Sequence, residues 1–158
     1  MTRNAHIAER LREVLLNGHW IANTNYQEQL SSITWQQAMQ QVEGLNTIAA
    51  LTYHIDYYLV GLLHAFETGR LEISDKYSFN LPPIQSATDW NNLVADFLAH
   101  AARFIAVVEQ MDDDRLNQPF VQEKYGTIHR NIEAVVEHSY YHLGQISLIK
   151  KIITHKHP

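Results

Sequence analysis

The chain contains no cysteine, which excludes disulfides, thiolate metal ligands and a cysteine nucleophile, and which suits a reducing cytoplasm. It also has no uninterrupted apolar run near the roughly 18 residues that span a bilayer. The opening MTRNAHIAERLREVLLNGHW carries charges through its apolar positions, so it has no signal-peptide core. A basic stripe is missing too. The twelve lysines and arginines are scattered and the formal net charge is -5, so nucleic acid is not an expected partner. Internal repeats, low-complexity tracts and strand-like alternation are likewise lacking. These absences leave a soluble, cytoplasmic protein of one domain, residues 1–158, as the expectation.

Several catalytic signatures are absent as well. No acidic residue precedes a histidine by three, so the Glu-x-x-His motif of di-iron bundles is missing. There is no His-Glu-x-x-His, no Gly-x-Ser-x-Gly elbow and no glycine-rich phosphate loop.

Helical periodicity is abundant. Ile7, Leu11, Val14 and Leu15 form the stripe of a first helix that Asn17-Gly18 should end. Short helical pieces are expected around Tyr26–Leu30, capped by Asn23 or Thr24, and after Thr34. Asn46 reads as the cap of a long helix through Leu51, Ile55, Tyr58 and Leu62, stopping near Gly69. From Arg70 to Thr88 periodicity lapses and Pro82-Pro83 enforces extended backbone. Thr88 then caps a third long helix through Phe97, Phe104 and Val108, fading at the solvated acidic run Asp112–Asp114. A connection from Gln118 to Gly126 precedes a last helix capped by Thr127. Four principal helices predict an all-α four-helix bundle, with the segment 70–88 as a long crossover.

The last helix holds His138 and His142, four residues apart and so one turn apart on one face. Ten histidines make such a pair a weak motif alone. Their face also carries Asn131, Val135, Gln145 and Ile149, and His54 occupies a small, apolar face of a second helix. Bundles build metal sites from such inward side chains, and three imidazoles leave coordination positions open. A buried histidine is also commonly just a hydrogen-bonded core residue, so the pattern by itself leaves both readings standing.

The helix NIEAVVEHSYYHLGQISLIKK resembles the signature helix of the DinB/YfiT-like superfamily, where His-x-x-x-His is followed by a small residue and Gly-Gln-Ile. His138, His142, Gly144, Gln145 and Ile146 fill those places. The segment NTIAALTYHIDYY resembles the family's other ligand helix, with His54 at the metal-binding position. Gly18-His19-Trp20, the Trp35 segment and the Trp90 helix fit the same layout. The resemblance implies a four-helix bundle with a divalent ion, zinc or nickel, on His54, His138 and His142. It also implies a homodimer, with which exposed apolar positions such as Tyr140 and Phe120 are compatible. Related families include enzymes that use bacillithiol or mycothiol, among them S-transferases.

The expected function is therefore a metal-dependent enzyme that transfers a low-molecular-weight thiol to a small-molecule substrate. A metal-dependent hydrolase and a non-catalytic metal or ligand binder are the alternatives. Gln145 and Asn131 are candidates to orient the ligands, and Tyr57 and Tyr141 to offer hydroxyls. His19 is a candidate for the pocket rim. His64 is read as core or surface, His6, His100 and His129 as solvent-facing, and His155 and His157 as a tail. No carboxylate is expected beside the three histidines.

Overall fold

The computed structural model describes residues 1–155, and among them the regular structure is all helical. The long helices are α1 (Arg3–Leu15), α4 (Ile48–Thr68), α5 (Ala87–Glu109) and α7 (Ile128–His155). Short helices α2 (Tyr26–Ser31), α3 (Trp35–Ala38) and α6 (Asp113–Asn117) lie in the connections. His157 lies outside the described residues. No helix of the described residues is long and apolar enough to cross a membrane.

The starts of these helices follow from their caps. Thr34 and Gln37 exchange side-chain and backbone hydrogen bonds in a full capping box, as expected from Thr34. The Thr127 hydroxyl accepts from the Arg130 amide, which also agrees with expectation. Three caps are shifted: Asn25 replaces Asn23 or Thr24, Thr47 replaces Asn46, and Ser86 replaces Thr88. In each case a neighbouring residue with an equally competent oxygen lies in the extended backbone that a cap requires. Gly69 ends α4 at φ 71°, a left-handed position that a glycine adopts without Cβ strain. The acidic run is not merely a helix end. Asp112 caps α6 and Asp113 and Asp114 occupy its first turn, where the helix dipole favours negative charge.

The four long helices form a ring in which α1 contacts α5 and α7, and α4 contacts α5 and α7. Helices α4 and α5 run parallel: Tyr53 and Asp56 sit beside Asn92 and Asp96, and Phe66 beside Phe104. Parallel neighbours cannot be joined by a tight turn, so the chain must travel back along the bundle. Residues 69–86 do this, confirming the expected crossover. They descend alongside α4 in reverse order: Ile73 meets Gly61, Ser74 meets Tyr57, Asp75 meets Tyr58 and Ser78 meets His54. A Cβ on Gly61 would collide with the Ile73 side chain, so the close approach of this return segment depends on glycine there.

Helices α4 and α7 are antiparallel, since Tyr58 and His54 face His138 while Leu51 lines one cavity with Gln145 and Ile149. The core is filled by one stripe from each long helix, including Leu11, Leu59, Phe97, Phe104, Ile132 and Ile146. Phe120 also packs inside, 3% exposed and edge-on to Phe66, so it is not the exposed apolar position expected from sequence. Tyr26 is fully buried against Phe97, and its hydroxyl donates to the Ser139 carbonyl of α7.

Burial holds the Tyr26 phenol well above its ordinary pKa of 10.0. The raised value means that its stabilising contribution is complete below the ordinary pKa and is lost as pH rises beyond it. Tyr26→Phe should therefore cost about 0.5–1.5 kcal/mol at neutral pH through the lost hydrogen bond. The same variant should lose less further stability than the parent between neutral and strongly alkaline solution. Urea unfolding of both proteins across that range checks both expectations.

Candidate metal centre

The antiparallel seam between α4 and α7 brings His54, His138 and His142 together. One nitrogen from each lies within 4.8 Å of the others. The Nε2 atom of His138 is 3.2 Å from that of His54 and 2.9 Å from that of His142. His54 and His142 are buried and His138 is half-buried. The centre of the α7 core face is Ile132, Val136, Ser139, Leu143 and Ile146, and the histidines occupy its edge, where the helix meets the groove against α4. That placement dries the imidazoles without sealing them inside.

Two rings are held from behind. The Nδ1–H of His54 donates to the Ser78 carbonyl at 3.3 Å, and that of His142 donates to Gln145 Oε1 at 2.7 Å. With protons committed at Nδ1, the Nε2 lone pairs point into the cluster. Phe79 stacks on His54 with ring centroids 4.0 Å apart and planes 10° from parallel. Tyr58 stands edge-on to both His54 and His138.

Lone pairs so close repel unless positive charge lies between them. Protons are poorly suited to that role here. Desolvation lowers the pKa of all three histidines; repulsion from His142 adds to the effect on His54, and repulsion from His142 and His54 brings His138 down to about 4. The groups are thus neutral imidazoles near neutral pH, the form that ligates a metal. Nitrogens bound to one tetrahedral ion at about 2.0–2.1 Å would lie roughly 3.3 Å apart, close to the two spacings through His138. The donor set fits a divalent ion.

The structure adds a carboxylate that sequence reasoning excluded. Asp75, on the return segment, accepts from the Tyr58 hydroxyl at 2.8 Å, and its charge favours the protonated forms of His54 and His138. It escaped notice because it shares no helix with the histidines and reaches them only through the return path. Phe79 and Ser78 escaped for the same reason.

The other assignments divide. Gln145 orients His142 as expected, whereas Asn131 donates to the Tyr125 and Thr127 carbonyls and secures the start of α7 instead. The Tyr57 hydroxyl is occupied by the backbone of Ser74, while Tyr141 is exposed beside His142. His19 is exposed and pairs with Glu28, not with the three clustered histidines. His64 faces Glu72 at 3.0 Å, and His129 faces Glu133 at 3.5 Å. His100 is not simply solvent-facing: its Nδ1 is 2.8 Å from the buried carboxylate of Asp56, so it bridges α5 to α4.

The sequence model of the DinB superfamily matches residues 22–146, which include the three histidines, and the chain belongs to that superfamily. Neither curated proteins nor solved structures gave a significant match.

His54→Ala or His138→Ala should abolish stoichiometric binding of Zn2+ or Ni2+, measured by titration calorimetry on protein purified without affinity-metal resin. Gln145→Ala should keep one site per chain but weaken it about 10- to 100-fold, the usual effect of removing a partner that orients a histidine ligand. Unchanged metal binding in both histidine variants would remove the site.

Proposed function

We propose that this DinB-superfamily protein is a metal-dependent enzyme in which His54, His138 and His142 hold a divalent ion, and that it transfers a low-molecular-weight thiol to an electrophilic small molecule. The observation that carries the reading is the convergence of three neutral imidazole nitrogens, two of them on buried rings, beside exposed Tyr141. Zinc and nickel both suit three imidazoles, since selectivity among borderline divalent ions depends on geometry and supply.

Bound there, such an ion would supply Lewis acidity, lowering the pKa of a thiol or water near neutral pH. The protein's own residues do the rest. Ser78 and Gln145 keep two imidazoles aimed at the ion, and Phe79 shields the outer face of His54 from water. Asp75 places negative charge beside two of the ligands and is itself positioned by Tyr58. In this reading Asp75 would be the carboxylate that receives a proton released from substrate. Because the chain contains no cysteine, the thiol must be a cosubstrate. Its S–H bond would give up the proton, and the sulfur would form the new bond to the carbon that the leaving group vacates. A homodimer in the cytoplasm is part of the same proposal.

The test is conjugate formation followed by mass spectrometry. Zinc- or nickel-loaded protein, given bacillithiol and a panel of electrophiles, should form thioether above the metal-free background. His138→Ala should return the rate to background, and Asp75→Asn should lower it by about 10- to 100-fold, the range for a positioned proton acceptor. Absence of metal-dependent conjugate across the panel would overturn thiol transfer. Metal-dependent ester or amide cleavage by the same preparation would replace it with hydrolysis.

A further inference from the structure

A cavity lies on the same α4–α7 seam as the histidines. One helical turn along that seam, Leu51 on α4 stands three residues before His54, and Gln145 on α7 three residues after His142. These two side chains form one wall of a cavity of about 250 Å³. Leu45, Asn46, Leu148 and Ile149 supply most of the remainder, with Gly44 at the edge. Leu45 and Leu148 are exposed at 46% and 57%, so the opening as well as the interior is apolar.

Three properties of this cavity define what fits it. No charged side chain lines it, so an ionised occupant would lose its hydration without compensation. An apolar cavity of about 150 Å³ accommodates benzene, so this one has room for a substituted single ring or a branched alkyl group of similar bulk. The polar groups at its wall are the amides of Asn46 and Gln145. Gln145 Oε1 is committed to the Nδ1–H of His142, which leaves the amide's N–H end for a ligand acceptor.

We infer that this cavity is the subsite for the electrophilic substrate, and that it takes a neutral molecule with one small apolar group and a hydrogen-bond acceptor beside it. The assignment rests on the reading of the three-His centre as a metal site. Gln145 links the two: the same side chain that aims His142 forms the wall of the cavity. A substrate seated there lies about one helical turn from the three histidines, and in this assignment its apolar group anchors it while its reactive carbon reaches past Gln145 toward them.

The probe is para-fluorobenzamide, observed by fluorine NMR, with para-fluorobenzoate as the charged counterpart of the same shape. The amide should bind with a Kd on the order of millimolar, the scale for a ligand of that size, and the carboxylate at least about tenfold more weakly. Leu148→Trp and Gly44→Leu each add bulk at the opening. An added Cβ on Gly44 meets nothing within 4 Å, and Leu148 is exposed, so both variants should retain the parent's melting temperature. Each should weaken amide binding at least about tenfold while leaving Zn2+ titration unchanged. With Co2+ bound, the bound fluorine should relax faster than with Zn2+, and Leu148→Trp should remove the difference.

Equal binding of amide and carboxylate, or amide binding indifferent to both substitutions, would overturn the subsite. Loss of metal binding in the parent would instead overturn the metal centre. Because the cavity is formed by protein alone, amide binding is measured on metal-free protein and the two failures are read separately.

Discussion

The parallel pairing of α4 and α5 is the constraint on which the rest depends. A helix of 21 residues is about 31 Å long, and a parallel neighbour can begin only after the chain has come back along it. The return segment therefore lies against α4 over most of its length. It delivers Ser78 to the imidazole of His54, Phe79 to its face and Asp75 to Tyr58. An antiparallel pair joined by a short turn would have left His54 without Ser78 and Phe79, its partners from the return segment. The topology thus supplies much of the environment around His54, the candidate ligand on α4.

A second consequence concerns electrostatics. Burial alone makes neutral imidazoles, and three neutral imidazoles can be a passive part of a core. Here the Nδ1 partners direct the lone pairs of His54 and His142 inward, where proximity makes an unfilled cluster unfavourable. Asp75 then biases the region toward cations without entering the cluster. The arrangement discriminates between a proton and a divalent ion. Desolvation and mutual repulsion disfavour protons that would charge the rings, while one ion bound to all three relieves the repulsion between lone pairs.

Much of this was legible from residue order. The apolar stripes, the Thr34 box, the Gly69 terminus and the crossover all follow from local rules, and the three candidate ligands could be named from their faces and from family likeness. The errors have local causes. Cap positions slipped by one or two residues because several neighbouring side chains could serve and only the backbone conformation chooses among them. Asn131 shares a face with His138 but turns its amide to the preceding loop, a nearer set of carbonyls. Phe120 stands in an irregular segment with no period to reveal which side it faces, yet it fills a gap beside Phe66.

The sequence by itself supplied the imidazole donors of a chain without cysteine, and the spacing of His138 and His142 sets their shared face. It also determined that long helices would form, because helical periodicity is a property of neighbours. Tertiary structure alone decided what stands around those histidines. Asp75, Ser78 and Phe79 come from non-periodic backbone more than twenty residues from His54, and Leu51 and Gln145 meet only because α4 and α7 run antiparallel. Those contacts depend on the path of the chain between elements and on which helices become neighbours, and local residue preferences do not encode either one.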